Sequence, residues 1–273
     1  MRGRLCLLIS PSLTLGVAFS GGPDSACLGF LLRRLILSGT PFSHSQERLN
    51  ELLAFIVDHR LQDSSSAMTT AATRIAHELG IRPVISHIEW GNGIFPKKPE
   101  KGDALERVAR RARYHLLHEA LGRHDVSVLC FGHHLNDQIE TSIVRLNSGS
   151  SSAGLSGMRE IRRWGMGTRE GYTDGMGWTG ISGMSKWIAR PLLGISKDRI
   201  LATCEENRLE FVVDATNFQP DLTIRNQIRH DLEISKSNVS EPSLAWSRLL
   251  TYFPAVANHR LAPQTKCNCE RAT

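Results

Sequence analysis

The stretch LGVAFSGGPDS at residues 15–25 constrains the fold more than any other part of the chain. An apolar run ends in two adjacent glycines, and residues 26–37 follow at once with helix-like spacing. This reads as a strand feeding a glycine turn that opens a helix. Such a turn aims free backbone N–H groups and the positive end of the helix at one point, which makes an anion site. Gly21 and Gly22 let backbone approach a phosphate with no Cβ in the way, and Ser20 and Ser25 add hydroxyl donors. Asp24 repels a phosphate unless a cation stands between them, which points to a metal-bound nucleotide, with magnesium as the metal. The competing reading is an ordinary helix cap, since Ser and Asp are common at helix starts. Other phosphate loops do not fit: there is no GxxxxGK[ST], the loop has no lysine, and no GxGxxG follows the strand.

Beyond this loop, strand-like and helix-like runs alternate. Strands are expected at residues 13–19, 52–58, 83–88 and 126–131, and helices at 24–37, 64–79, 103–121 and 136–146. This order predicts an α/β fold, a Rossmann-like parallel sheet with helices on both faces. Ligands of such sheets bind outside the carboxyl ends of the strands. Three marked segments fall at strand ends: residues 20–25, Asp58-His59 and residues 132–137. After residue 147 the texture changes. Residues 165–183 hold seven glycines and read as a hairpin or a flap. Arg190-Pro191-Leu192-Leu193 follows, where Pro191 stops a strand. A helix at 195–207, a short strand at 210–213 and a helix at 222–232 form a small helical C-terminal extension. The expected division is a catalytic domain over 1–235 and a partly disordered tail over 236–273.

Composition narrows the class. The chain has 273 residues, 41% hydrophobic and 22% charged, as in an ordinary globular protein with a sizeable core. A net charge of +6 suits a polyanionic partner. No apolar run reaches the length of a membrane span. The start, MRGRLCLLIS, resembles a weak presequence but is read as part of the fold or as a clipped start. The six cysteines form no CxxC pair, which argues against a zinc site or a disulfide framework and for a reducing compartment.

The second strong signal is GHHLNDQIET at residues 132–141. On a helix, Asp137 and Glu140 are three apart and share a face, where paired carboxylates can hold magnesium or an ammonium group. Zinc is disfavoured because adjacent His133 and His134 rarely reach one ion, and a capping histidine beside a solvated acidic face is the plain alternative. The helix beginning near Asp103 carries Arg107, Arg110, Arg111 and Arg113, with Arg110, Arg113 and Tyr114 near one edge. Residues 97–113 hold seven basic against three acidic side chains, which suits phosphate contacts on a nucleotide or RNA. Arg225 and Arg229, at i,i+4, suit a phosphate-reading pair.

The first loop resembles the SGGxDS motif of the PP-loop ATP pyrophosphatases. The full set resembles tRNA(Ile)-lysidine synthetase: AFSGGPDS (18–25), VDHRL (57–61), ExxARxxRY (106–114), GHHLNDQIET (132–141), NSGSSSAGLSGM (147–158), RPLL (190–193), DATN (214–217) and RNQIRH (225–230) occur in that family's order. The resemblance implies a PP-loop, adenine nucleotide α-hydrolase-like fold and a two-step reaction with ATP and Mg2+. The wobble cytidine of an isoleucine tRNA with a CAU anticodon is adenylated at its C2 oxygen, and free L-lysine then displaces AMP. It further implies that Ser20, Gly21, Gly22, Pro23, Asp24, Ser25 and His59 hold ATP, with Asp24 acting through Mg2+. Arg110 and Arg113 would neutralise phosphate charge, and Asp137 and Glu140 would receive the lysine amine beside His133 and His134. Arg225 and Arg229 would face tRNA. The implied location is the cytoplasm for a bacterial source and the mitochondrion or another organelle for a eukaryotic one.

The sequence departs from the family's pattern in several places. Asn136 stands where the family often has a second aspartate, Arg60 where glycine is usual, and the long C-terminal tRNA-binding region is missing. The chain is thus a compact or an incomplete member. The alternatives are another PP-loop tRNA-modifying enzyme of the thiolase type, which usually needs paired cysteines near the site, and a catalytically impaired nucleotide- or RNA-binding relative.

Overall fold

The structure is a computed structural model, and it describes residues 14–39, 51–99, 105–147, 149, 157–164, 181–213 and 228. The chain divides into two compact units, 1–139 with 158–215 and 140–157 with 216–273. The first holds a six-stranded sheet in the order β3-β2-β1-β4-β6-β5. Its strands are β1 (Thr14–Ala18), β2 (Glu51–Asp58), β3 (Arg82–His87), β4 (Val128–Cys130), β5 (Ile161–Arg163) and β6 (Trp187–Ala189). The helices are α1 (Pro23–Leu37), α2 (Ser65–Glu78), α3 (Leu105–Arg123), α4 (Leu135–Asn147), α5 (Ile181–Met184) and α6 (Lys197–Glu206). All pairings are parallel except the outermost, β5 with β6.

Side chains leave a strand alternately to its two faces, so each apolar strand serves two cores. Leu15, Val17, Leu52, Ala54, Ile56, Val128 and Cys130 pack with α1, α2 and α6 on one face. Leu53, Phe55, Leu129 and Ile188 pack with Tyr114, Leu117 and Leu121 of α3 on the other. Gly16 lies on this second face, where a Cβ would stand 2.8 Å from the Phe55 ring. The glycine makes room for that ring in the middle of the sheet.

The predicted α/β architecture is the observed one. Two short strands, β5 and β6, flank the glycine-rich segment and pair antiparallel. Of the segment read over 165–183, residues 165–180 lie outside the described residues and the rest falls in α5. The strand expected at 210–213 is not formed. Its Val212 N–H goes to the Gly21 carbonyl at 2.8 Å, so the segment is tied to the first loop rather than to a ladder. Of the helix expected at 222–232, only Ile228 is described, helical and buried.

The sheet order also places the ligand edge. From β1 the chain winds outward through β2 to β3, then returns to β4 on the other side of β1. The direction of winding reverses between β1 and β4, and at such a point the loops beyond the strand ends diverge and leave a crevice.

Candidate active site

The first wall of that crevice is the loop after β1. Phe19 N–H donates to the Phe55 carbonyl at 2.9 Å, which holds the loop to β2. Gly21 has φ +78°, and a Cβ there would stand 3.0 Å from the Ala72 backbone, so the position requires glycine. Gly22 is the N-cap of α1 and Pro23 opens the helix. A glycine cap has no side chain to bond the amides of Asp24 and Ser25, and these point out of the helix end. The two serines brace the loop from within. Ser25 Oγ donates to the Gly22 carbonyl at 3.0 Å and accepts from Ser20 N–H at 3.2 Å. Ser20 Oγ accepts from Gly22 N–H at 3.4 Å.

The second wall is the end of β2. Asp58 is buried, and its Oδ1 accepts from Arg60 N–H at 3.0 Å and from Ser65 Oγ at 2.5 Å. Its Oδ2 lies 3.1 Å from His87 Nδ1. Burial alone would raise this carboxyl, but bonds from Ser65, Arg60 and His87 outweigh it and hold it below the usual range. Arg60 has φ +51°, so the left-handed turn that suits glycine survives with arginine in it. Beside it, burial pushes the His59 imidazole down to about 4, with the Arg113 charge adding and Asp58 opposing. His59 is therefore neutral at neutral pH, and its buried Nδ1 has no partner among the described residues.

The third wall follows β4. A Cβ on Gly132 would lie 2.9 Å from the carbonyl carbon and oxygen of Asp24, so this loop touches the start of α1. His133 stacks on Phe131 and accepts from Arg190 Nε at 3.0 Å. His134 N–H donates to Asp137 Oδ2 at 2.9 Å, which caps α4 in the manner of an acidic third residue. The same His134 places Nε2 3.6 Å from both Asp24 Oδ1 and Asp137 Oδ2.

These walls enclose a cleft of about 450 Å³, within the range of small-molecule sites. Ser20, Asp24, His59, Arg113, His133 and Asp137 line it, with Phe55, Val57 and Leu117 as apolar surface. Arg110 is not among the lining residues; its guanidinium sits 5.4 Å from the Tyr114 ring centre. Tyr114 itself belongs to the core, 3% exposed, rather than to a basic edge. Burial would raise its phenol, yet the guanidiniums of Arg110, Arg190, Arg113 and Arg162 together pull it below the usual range. Burial brings Arg190 down to about 10, with Tyr114 opposing and Arg162 and Arg110 adding. The field behind the cleft is thus positive, as an anionic ligand requires. Glu140 is buried, 2% exposed, and belongs to the second unit. Arg225 and Arg229 lie outside the described residues.

Sequence reading missed Lys197. Its ammonium stands 2.5 Å from Asp24 Oδ1 across 173 residues of chain. Asn136, read as a lost carboxylate, accepts from Lys197 N–H at 3.2 Å. No local pattern signals either contact.

Among the described residues no group of three or more His, Cys, Asp or Glu can hold a metal. A zinc cage is therefore not formed there. The donor set at Asp24, one carboxylate beside an anion-binding turn, instead fits Mg2+, which takes one or two carboxylates and fills its shell with phosphate and water oxygens. Cys27, Cys130 and Cys204 are free and buried, and burial pushes the Cys27 and Cys130 thiols up to about 12. No helix among the described residues is long and apolar enough to cross a membrane.

The family model described as PP-loop domain matches residues 8–235. A probable tRNA(Ile)-lysidine synthase of Schizosaccharomyces pombe is 31% identical over 221 residues, covering 80% of this chain and 44% of that protein. The tRNA(Ile)-lysidine synthase of Bacillus subtilis is 30% identical over 79% of this chain and 39% of its own length. That of a Bradyrhizobium strain is 33% identical over 81% of this chain and 52% of its own. The chain thus spans about half the length of these relatives or less. Among solved structures, the U34-tRNA thiolase NcsA of Methanococcus maripaludis with its [4Fe-4S] cluster matches with TM-score 0.57 and 17% identity, over 98% of this chain and 78% of that one. At that identity the likeness shows the fold.

Proposed function

The chain belongs to the PP-loop domain family, and from that premise we propose that it uses ATP to join lysine to C2 of the wobble cytidine of an isoleucine tRNA with a CAU anticodon. The observation that carries this reading is the meeting of three motifs at one cleft. SGGPDS, VDH and GHHLND, which are far apart in the chain, supply Asp24, His59 and Asp137 to the same 450 Å³ space. The names of the relatives support the same substrate class.

In this reading the triphosphate lies on the turn after β1, against the amides at the start of α1. The cytidine O2 attacks the α-phosphorus, the bond to the β-phosphate oxygen breaks, and pyrophosphate leaves. Mg2+, held by Asp24, would screen the phosphate oxygens from one another. Arg113 stabilises the charge that develops as the bond breaks. His59, neutral and half-enclosed, contacts the nucleotide as a hydrogen-bonding group rather than as a cation. Activation is needed because a ring carbonyl oxygen is a poor leaving group. In the second step the lysine amine attacks C2, the C2–O bond breaks, and AMP leaves with that oxygen. Asp137, on the cleft wall, orients the amine; by the resemblance alone, Glu140 is assigned to the lysine amine, Arg110 to phosphate charge, and Arg225 and Arg229 to RNA. The setting proposed is the cytoplasm of a bacterium or an organelle of a eukaryote.

Thiolase chemistry is less well supported. The described cysteines are buried and held protonated, so none offers a thiolate at the cleft. The test is ATP–pyrophosphate exchange. Exchange is expected only in the presence of tRNA. Exchange without RNA would instead indicate a small-molecule acceptor and contradict the proposal.

A further inference from the structure

Lys197 has no part in the steps above, yet it holds the one carboxylate to which they assign the metal. Its ammonium is 2.5 Å from Asp24 Oδ1, and neither side chain is more than about a third exposed. The backbone beneath it is fixed from two sides. Lys197 N–H donates to Asn136 Oδ1 at 3.2 Å, and Leu135 N–H donates to the Ile195 carbonyl at 2.9 Å, which ties the start of α6 to the loop after β4. On the other side, Cys204 Sγ meets the Pro23 carbonyl at 3.6 Å, which ties α6 to the first turn of α1. The start of α6 is therefore anchored at the mouth of the nucleotide turn, and the four-carbon stem of the lysine gives its ammonium several rotatable bonds of reach.

Lys197 engages Asp24 through Oδ1, and an ammonium and a divalent cation on the same carboxylate repel each other at close range. A metal that arrives at Asp24 with its phosphates therefore favours release of Lys197 from it. Displacement leaves a compact positive charge at the rim of a turn that has just received a polyanion. We propose that Lys197 is a phosphate ligand held in reserve: its ammonium occupies Asp24 in the free protein and moves to a phosphate oxygen of the nucleotide when a divalent cation takes Asp24. The proposal rests on the nucleotide-binding part of the reading above and on neither lysine nor RNA.

The two halves of this exchange have opposite signs, and that makes it testable with the full chain. Mn2+ binding without nucleotide is followed by paramagnetic resonance. Binding of α,β-methylene-ATP with Mg2+ is followed by calorimetry. In Lys197→Met the competitor for Asp24 is gone, so Mn2+ is expected to bind about tenfold tighter. The same variant is expected to bind the nucleotide about ten- to a hundredfold more weakly, the loss of one charge-assisted contact. Lys197→Arg keeps the cation and should hold nucleotide affinity within about fivefold of the wild type. Lys197→Gln, with the same expected signs as Met, replaces it should Met fail to fold. Unchanged nucleotide affinity in the neutral variants overturns the proposal. So does a parallel loss of both affinities, which is what a merely structural ion pair would give. Absence of nucleotide binding by the wild type overturns the nucleotide-binding reading together with this one. Failure of lysine transfer to RNA leaves the binding result standing.

Discussion

Asp24→Ala is expected to abolish tRNA-dependent ATP–pyrophosphate exchange, by about a thousandfold or more. Asp24 is the carboxylate that the first turn aims at the cleft, and two charged or titratable groups converge on it. Lys197 lies at 2.5 Å and His134 at 3.6 Å from the same oxygen, and His134 in turn reaches Asp137. In the proposed reading, removing it deletes the carboxylate assigned to Mg2+ and leaves Lys197 without the counterpart that positions it. The fold should survive. The Asp24 side chain is 31% exposed and lies in the first turn of α1. Losing a partly exposed ion pair and an acidic group at a helix start costs about 1 kcal/mol. Denaturant melts of the variant should therefore stay close to those of the wild type while exchange disappears. Exchange within tenfold of the wild type would show that this carboxylate is not at the reacting phosphate.

Gly132→Ala is expected to have the largest effect on the scaffold. The new Cβ would stand 2.9 Å from the carbonyl carbon and oxygen of Asp24, and 3.2 Å from its Cβ. The two nearest are backbone atoms at the start of α1, and Cβ is fixed by that backbone, so no side-chain rotation relieves the clash. Either the loop after β4 or the first turn of α1 must move, and both line the cleft. Overpacking of this kind costs about 1–3 kcal/mol. The same displacement should weaken nucleotide binding about tenfold or more, since the amides at the helix start would no longer converge. Gly122→Ala is the control. Gly122 lies in α3 and a Cβ there meets nothing within 4 Å, so alanine should be neutral or stabilise by about 0.5–1 kcal/mol. Equal stability of the two alanine variants would mean that the loops do not touch as described.

The long elements were legible in the sequence because their signals are long. LLAFIVD at residues 52–58 reads as a doubly buried strand, and the two cores confirm that alternate residues serve opposite faces. Among the three-residue strands, β4 was legible because it sits in the apolar run 126–131 and β6 only through the stop at Pro191, whereas β5, Ile161–Arg163, lies in no apolar run and gave no signal. Tyr114 was placed with its arginine neighbours because it shares their helix edge, but a phenol ring is apolar enough to follow Leu117 and Leu121 into the core. Of the residues lining the cleft, Asp24, His59 and Asp137 were legible because a glycine turn and strand ends mark them, and Arg113 because it belongs to the basic run of α3. Lys197 could not, because its meaning comes from a contact made 173 residues away through the return crossing of the sheet. Arg60 carries a similar lesson. The turn keeps its left-handed backbone with a bulkier residue because Asp58 accepts the Arg60 amide and fixes it there.

The most direct measurement mixes the protein with labelled lysine, ATP and total tRNA and reads label in the RNA fraction. Label is expected in RNA only when ATP is present, and none with Asp24→Ala. No label with the active exchange intact, or label that appears without ATP, would contradict lysine transfer through an ATP-activated cytidine.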